Sequence, residues 1–213
     1  RGVTVRESPW PEFLSAITPR TRLVAVSSVN YSTGFRVPLA EIAARCRETG
    51  TIFYLDGTQS AGALDFDFSA LQPGMFAVNC YKWMLAPNGA GFMAVHKRLR
   101  EHLEPLSIGW RSHEGWRNVD NLHQGAPVFV SSAEKYEGGM LSSMVLYGLE
   151  ASVDFLLEVG MPAVEARALA LAAEVRRMAA RLGGGALPHH DSAIAALRFD
   201  GVDSSALARA LKA

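Results

Sequence analysis

A chain of 213 residues with 49% apolar and 20% charged residues, 19 glycines and 10 prolines is ordinary globular material able to bury a full core, which excludes disorder and collagen-like repeats. Lysine plus arginine equals aspartate plus glutamate at 21 each, so no basic field gathers nucleic acid or anionic lipid, and no nucleic-acid partner is expected. No apolar run approaches the roughly 18 residues of a membrane span, and the two separated cysteines, Cys46 and Cys80, form neither a disulfide framework nor a paired metal motif, which suits a reducing, cytoplasmic setting.

The sequence opens on Arg1 rather than Met and reads as a fragment of a longer chain. A surface segment leads into a helix predicted over residues 9–17, and the β-branched run 22–28 (RLVAVSS) reads as a strand. Residues 38–50 place Leu39, Ile42, Ala43 and Cys46 at helical spacing, with Pro38 at the start and Gly50 at the stop. Strands follow at 51–55, 75–80 and 91–96, then long helices at 141–160 and 161–182, the second opened by Pro162 and closed by Gly183, Gly184 and Gly185 as flexible punctuation. A strand at 193–199 and a helix at 203–212, capped by Asp203 or Ser204, end the chain. Short apolar strands alternating with helices define an α/β fold, a mostly parallel sheet sandwiched by helices. Residues 1–160 read as part of a large domain, and 161–213 as a linking helix and the start of a small α+β domain.

In such sheets ligands bind beyond the carboxyl ends of the strands, where loop amides and helix N-termini converge. Asn30 follows the first strand, Asp56 the second, and Asn79, Cys80, Tyr81 and Lys82 close the third. Asp56 alone suits a helix cap. Lys82, one of four lysines and flanked by Tyr81 and Trp83, is expected in a buried, aromatic-walled cleft where desolvation frees its amine for imine formation. The two form either a plain ion pair or the two ends of a cofactor site. Pyridoxal phosphate needs a lysine for its aldehyde and a carboxylate at its ring nitrogen. Asn79, Tyr81, Asn30 and Gln59 are donors suited to its phosphate and phenolic oxygen.

The stretches Asn30-Tyr31-Ser32-Thr33-Gly34-Phe35-Arg36-Val37-Pro38-Leu39, Asp56-Gly57-Thr58-Gln59-Ser60-Ala61-Gly62 and Tyr81-Lys82-Trp83-Met84-Leu85-Ala86-Pro87-Asn88-Gly89-Ala90-Gly91-Phe92 resemble the class V aminotransferase family of fold type I pyridoxal-phosphate enzymes. That family includes cysteine desulfurases, isopenicillin-N-epimerase-like proteins and kynureninases. Gly109-Trp110 and Tyr136-Glu137-Gly138-Gly139 fit the same order, so the likeness runs over most of residues 20–182. It implies that residues 1–160 belong to the large cofactor-binding domain. By it Lys82 is the Schiff-base lysine and proton shuttle, Asp56 pairs with the ring nitrogen, and Gln59 bonds the phenolic oxygen. Asn30 touches the same edge or the substrate, and Asn79 and Tyr81 the phosphate. It further implies an amino-acid substrate and a homodimer. Aminotransferase is the first label, with C–S lyase or desulfurase, epimerase and kynureninase-like hydrolase as alternatives. A non-catalytic α/β binding module is the rival of another class. Tyr81 before the lysine leans toward kynureninases, whereas Gln59 leans toward desulfurases and epimerases.

Met140 departs from the family, which usually places a threonine there to reach the neighbouring subunit's phosphate, and a thioether donates no hydrogen bond. Gly139 offers its backbone amide instead, or Ser142 or Ser143 its hydroxyl, although both serines also suit capping of the helix that follows. The family's amino-terminal phosphate loop and carboxyl-terminal arginine have no counterpart in these residues.

The histidines, His96, His102, His113, His123, His189 and His190, show no zinc-site spacing, so no metal is expected. Cys80 reads as a small buried hydrophobe rather than a nucleophile. Gly89-Ala90-Gly91 reads as a tight turn. Trp110, Arg111, Trp116 and Arg117 suit an active-site gate, carboxylate recognition or a dimer contact.

Overall fold

The computed structural model describes residues 2–121, 125–187 and 191–212, so the His123 and His189-His190 positions lie outside the described residues. In chain order run α1 (Trp10–Ala16), β1 (Leu23–Ser27), α2 (Leu39–Thr49), β2 (Ile52–Asp56), α3 (Phe68–Leu71), β3 (Met75–Asn79), β4 (Gly91–Val95) and α4 (Lys97–Arg100). Short 3-10 turns at Trp110–Ser112, Val119–Asn121 and Ala133–Tyr136 precede α5 (Ser143–Val159) and α6 (Met161–Arg181). β5 (Gly185–Ala186), β6 (Leu197–Arg198) and α7 (Ser204–Ala210) complete the described chain. No described helix is long and apolar enough to cross a membrane.

The main sheet has the order β1-β2-β3-β4. β1, β2 and β3 are parallel, with Ser27 opposite Asp56 and Asp56 opposite Ala77. β4 runs antiparallel to β3, with Asn79 opposite Gly91. A parallel return needs a crossover of about a dozen residues or more, usually a helix, and the 80–90 loop turns the chain straight back. Helices flank the sheet. Ile42, Ala43 and Cys46 of α2 lie buried against Phe53 and Leu55 of β2 and Phe76 and Val78 of β3, the face that the helical spacing picks out. Val145 and Leu149 of α5 pack on the same core.

The carboxyl-terminal segment corrects two expectations. The strand expected over 193–199 is confined to Leu197–Arg198, paired antiparallel with Gly185–Ala186. Ahead of it the buried Ser192 donates its Oγ to Gly34 O at 2.7 Å and accepts from Ile194 N at 3.3 Å. A serine bonded to nearby backbone competes with a ladder, and Ala193 and Ile194 pack with Val29, Ala63 and Leu64 in a second apolar cluster. The three glycines are not uniform punctuation either, since Gly185 opens β5 and Gly184 lies against the Phe199 ring.

Candidate active site

The carboxyl ends of β1, β2 and β3 are tied together by short polar side chains. Ser27, the register partner of Asp56, donates its Oγ to Asp56 Oδ2 at 2.9 Å, and the Thr58 amide donates to Oδ1 at 2.9 Å. A carboxylate has about four lone-pair sites, so Asp56 retains capacity for a further donor. Thr58 Oγ1 in turn accepts from the Asn79 amide at 3.1 Å, which fixes the end of β3 to the loop after β2. Beneath them Ser28 Oγ and Ser60 Oγ share a buried hydrogen bond of 2.7 Å, and Ser28 also donates to Asp56 O at 3.1 Å. Ser27, Ser28, Thr58 and Ser60 are supporting residues that the sequence reading passed over. The adjacent serines of the first strand, level with the motif aspartate, were the available signal.

Lys82 sits in the loop between β3 and β4. This loop is closed by Cys80 N to Ala90 O at 3.0 Å, Ala86 N to Cys80 O at 3.1 Å and Leu85 N to Lys82 O at 3.1 Å. Gly89 takes φ +92° in open space, the tight turn expected of Gly89-Ala90-Gly91. The buried aromatic-walled cleft expected for Lys82 is not what these residues build. Lys82 is half-buried, Tyr81 is 46% exposed with its ring centroid 5.9 Å from Lys82 Nζ, and Trp83 packs in the second apolar cluster. Neither Lys82 nor Asp56 enters an ion pair among the described residues, against the plain ion-pair alternative. Cys80 is fully buried, and burial pushes its thiol up despite a hydrogen bond with the Phe92 backbone; burial likewise pushes Cys46 up to about 11 against the charge of Arg47. Neither is a poised nucleophile.

The other donors lie at different distances from this use. Asn30 closes its own turn, its Oδ1 accepting from Ser32 N at 3.0 Å, Ser32 Oγ at 2.8 Å and Thr33 N at 3.0 Å, so the amide NH2 is the end available to a ligand. Gln59 is half-buried in the turn after Asp56, and Asn79 is exposed at its strand end. The Gly139 amide donates to Glu137 O at 3.0 Å, so in this arrangement it is already engaged. Met140 is 87% exposed, and Ser142 stands at the N-cap of α5 without a side-chain capping bond.

Arg111 spans Glu134 at 3.2 Å and Glu137 at 3.1 Å, Arg117 reaches Glu134 at 3.0 Å, and both guanidinium groups lie over the Trp116 ring. Burial alone would raise the Glu134 carboxyl, but the hydrogen bond from Arg111 and the charges of Arg117 and Arg111 outweigh it and hold it below the usual range. This cluster satisfies its own charges and braces the turn before Gly139, since the Arg111 amide donates to Gly138 O at 3.1 Å. Among the described residues no three His, Cys, Asp or Glu side chains gather to hold a metal ion.

A carboxylate at the end of β2, held by Ser27 and Thr58, and a lysine in the loop after the adjacent β3 stand on an α/β frame of the kind that binds ligands beyond its strand ends. The chain belongs to the aminotransferase class-V family, whose model matches residues 5–213. Isopenicillin N epimerase of Streptomyces clavuligerus is 31% identical over 188 residues, covering 84% of this chain and 45% of the epimerase. The apo cysteine desulfurase of Thermococcus onnurineus NA1 shares the fold with a TM-score of 0.83 at 19% identity, over 95% of this chain and 50% of that one. A C-DES variant with glycine covalently linked to its PLP cofactor gives a TM-score of 0.80 at 25% identity, over 94% of this chain and 54% of the other. The chain spans about half the length of these relatives. The resemblance drawn from the three strand-end motifs is borne out.

Proposed function

We propose that this chain carries the cofactor-holding portion of a pyridoxal-phosphate enzyme that moves a proton at the α-carbon of an amino acid. The observation that carries it is the bond from the Asn79 amide to Thr58 Oγ1, which ties the end of β3, three residues before Lys82, to the turn that follows Asp56 at the end of the neighbouring β2. The cofactor is pyridoxal phosphate, which when bound supplies an electron sink for the α-carbon. Lys82 would hold its aldehyde carbon, and the Lys82 amine, when free, would carry the proton to or from the substrate α-carbon. Asp56, oriented by Ser27 and Thr58, would face the ring nitrogen and keep it protonated. Gln59 and Asn30 would serve the phenolic edge, and Asn79, Tyr81 and the Gly139 turn the phosphate.

Proton transfer at one carbon serves both aminotransfer and epimerisation. The epimerase relative, which covers most of this chain, supports the second. C–S bond cleavage is supported by the cysteine desulfurase relatives and by the likeness to the cystine C–S lyase C-DES, in which case the buried Cys46 and Cys80 would not be the groups that accept sulfur. Two copies of the chain would associate through α5, whose Met144 and Tyr147 stand outward while Leu156 is its buried residue.

The test is an absorption spectrum with pyridoxal phosphate, borohydride reduction and peptide mapping, followed by α-proton exchange of amino acids in deuterated water. A reduced adduct at Lys82, and exchange that Lys82→Ala abolishes, is the expected result. Keto-acid release would mark aminotransfer, inversion without it epimerisation, and sulfide release C–S cleavage. An adduct spread over Lys97, Lys135 and Lys212 would overturn the reading.

A further inference from the structure

The loop that bears Lys82 is gripped from two sides by backbone that leaves no room. On one side Gly62, at φ +89°, lies so close that a Cβ there would sit 2.5 Å from Trp83 O and 2.7 Å from Met84 N. On the other, α5 presses Gly148 against Pro87, where a Cβ would sit 2.4 Å from Pro87 Cγ and 2.9 Å from Cδ. One turn further along α5, the Ser152 hydroxyl shares its one proton between Gly148 O at 2.9 Å and Leu85 O at 3.2 Å. Between these contacts Leu85 adopts φ +59°, a left-handed backbone that a leucine disfavours. Such a residue persists where its surroundings over-determine it, and Leu85 is 63% exposed, so backbone contacts rather than side-chain packing hold it.

We infer that Gly148 and Ser152 of α5 are positioning residues for Lys82: they fix the Leu85–Pro87 segment from one side while Gly62 holds Trp83 and Met84 from the other, so that the loop carrying Lys82 has one seat. This rests on the reading of Lys82 as the cofactor lysine. The contact itself suggests the perturbation and its repair. In Gly148→Ala the new methyl group meets Pro87 Cγ and Cδ, whereas its distance to Pro87 Cβ is 3.9 Å, an ordinary contact. Pro87→Ala removes the two crowded atoms and keeps the third. A displacement of about 1 Å at a reacting group can cost on the order of 100-fold in rate.

The experiment uses the protein as its gene encodes it. Lys82 adduct formation is titrated with pyridoxal phosphate, and pyridoxamine phosphate, which fills the same pocket without reacting with an amine, is titrated beside it, with the melting midpoint recorded. Gly148→Ala is expected to weaken adduct formation at Lys82 at least tenfold while pyridoxamine phosphate affinity changes less than threefold. The pair Gly148→Ala with Pro87→Ala is expected to restore the adduct to within threefold of the parent. Ser152→Ala should give a smaller loss of the same kind. If Gly148→Ala forms the adduct as well as the parent, loses both ligands equally, or is not repaired by Pro87→Ala, the positioning role is overturned. A parent protein that forms no adduct at Lys82 would overturn the cofactor reading, and this inference with it.

Discussion

Two glycines with nearly the same backbone angle make an internal control for the packing around Lys82. Gly62 at φ +89° is crowded by the Trp83 carbonyl and the Met84 amide, whereas Gly89 at φ +92° has no heavy atom within 4 Å of a built Cβ. Replacing either with alanine imposes a left-handed residue at a cost of about 1–2 kcal/mol, partly offset by roughly 0.4–1 kcal/mol through the less flexible unfolded chain. Gly89→Ala is therefore expected to cost about 1 kcal/mol or less. Gly62→Ala adds a methyl group against main-chain atoms that cannot rotate away, and overpacking of this kind costs typically about 1–3 kcal/mol more. The expected total is about 1–4 kcal/mol, or a fall in Tm of roughly 2–16 °C for a chain of this size. Paired thermal and urea unfolding of the two variants measures the difference directly. Equal losses at both positions would show that the Gly62 backbone does not bear on the Lys82 loop, and the placement of that loop described above would have to be abandoned.

The acid side of the stability profile tests the Arg111 cluster. Glu134 is held below its ordinary value of 4.5 in the folded chain, so its contribution is complete above that pH and is lost as the pH falls through the lower folded value. Acid titration of unfolding should accordingly be shallower in Glu134→Gln than in the parent below pH 4.5, with the two slopes equal near neutrality. The cysteines give a third check. With Cys46 pushed up to about 11 and Cys80 raised by burial, neither thiol should react with an aromatic disulfide reagent at pH 8 in the native state, and both should react on unfolding. Rapid native-state labelling of Cys80 would place it outside the buried position it holds between Asn79 and Tyr81.

Much of this arrangement was legible because the relevant forces are local. The i, i+3, i+4, i+7 spacing of Leu39, Ile42, Ala43 and Cys46 reports a single buried helix face, and the structure packs that face on β2 and β3. The strands around Asp56 and Lys82 were equally clear, because apolar runs bounded by polar residues mark strand ends. What escaped depends on pairing at a distance. The direction of β4 follows from the length of the loop before it rather than from its own composition. The partnership of Ser27 with Asp56 is set by the β1–β2 register, across a separation of 29 positions in the chain. The engagement of the Gly139 amide comes from a turn that Gly109 and Arg111 hold through Gly138. Leucine at 85 carries no signature of left-handed backbone, and the bond that holds its carbonyl comes from Ser152 on another element.

The order β1-β2-β3-β4 also has a kinetic consequence. Among these four strands each docks beside the one made just before it, so this part of the sheet can form in the direction of synthesis. Asp56 would be fixed against Ser27 once β2 emerges, and Lys82 would be roughly placed when β4 folds back on β3. The loop around Lys82 acquires its final seat only when α5 arrives, some fifty residues later by its numbering. A nascent chain halted before Ser143 would thus hold Asp56 already bonded to Ser27 and a Lys82 loop still without its α5 contacts, so that loop is completed late, by a helix that lies outside the sheet.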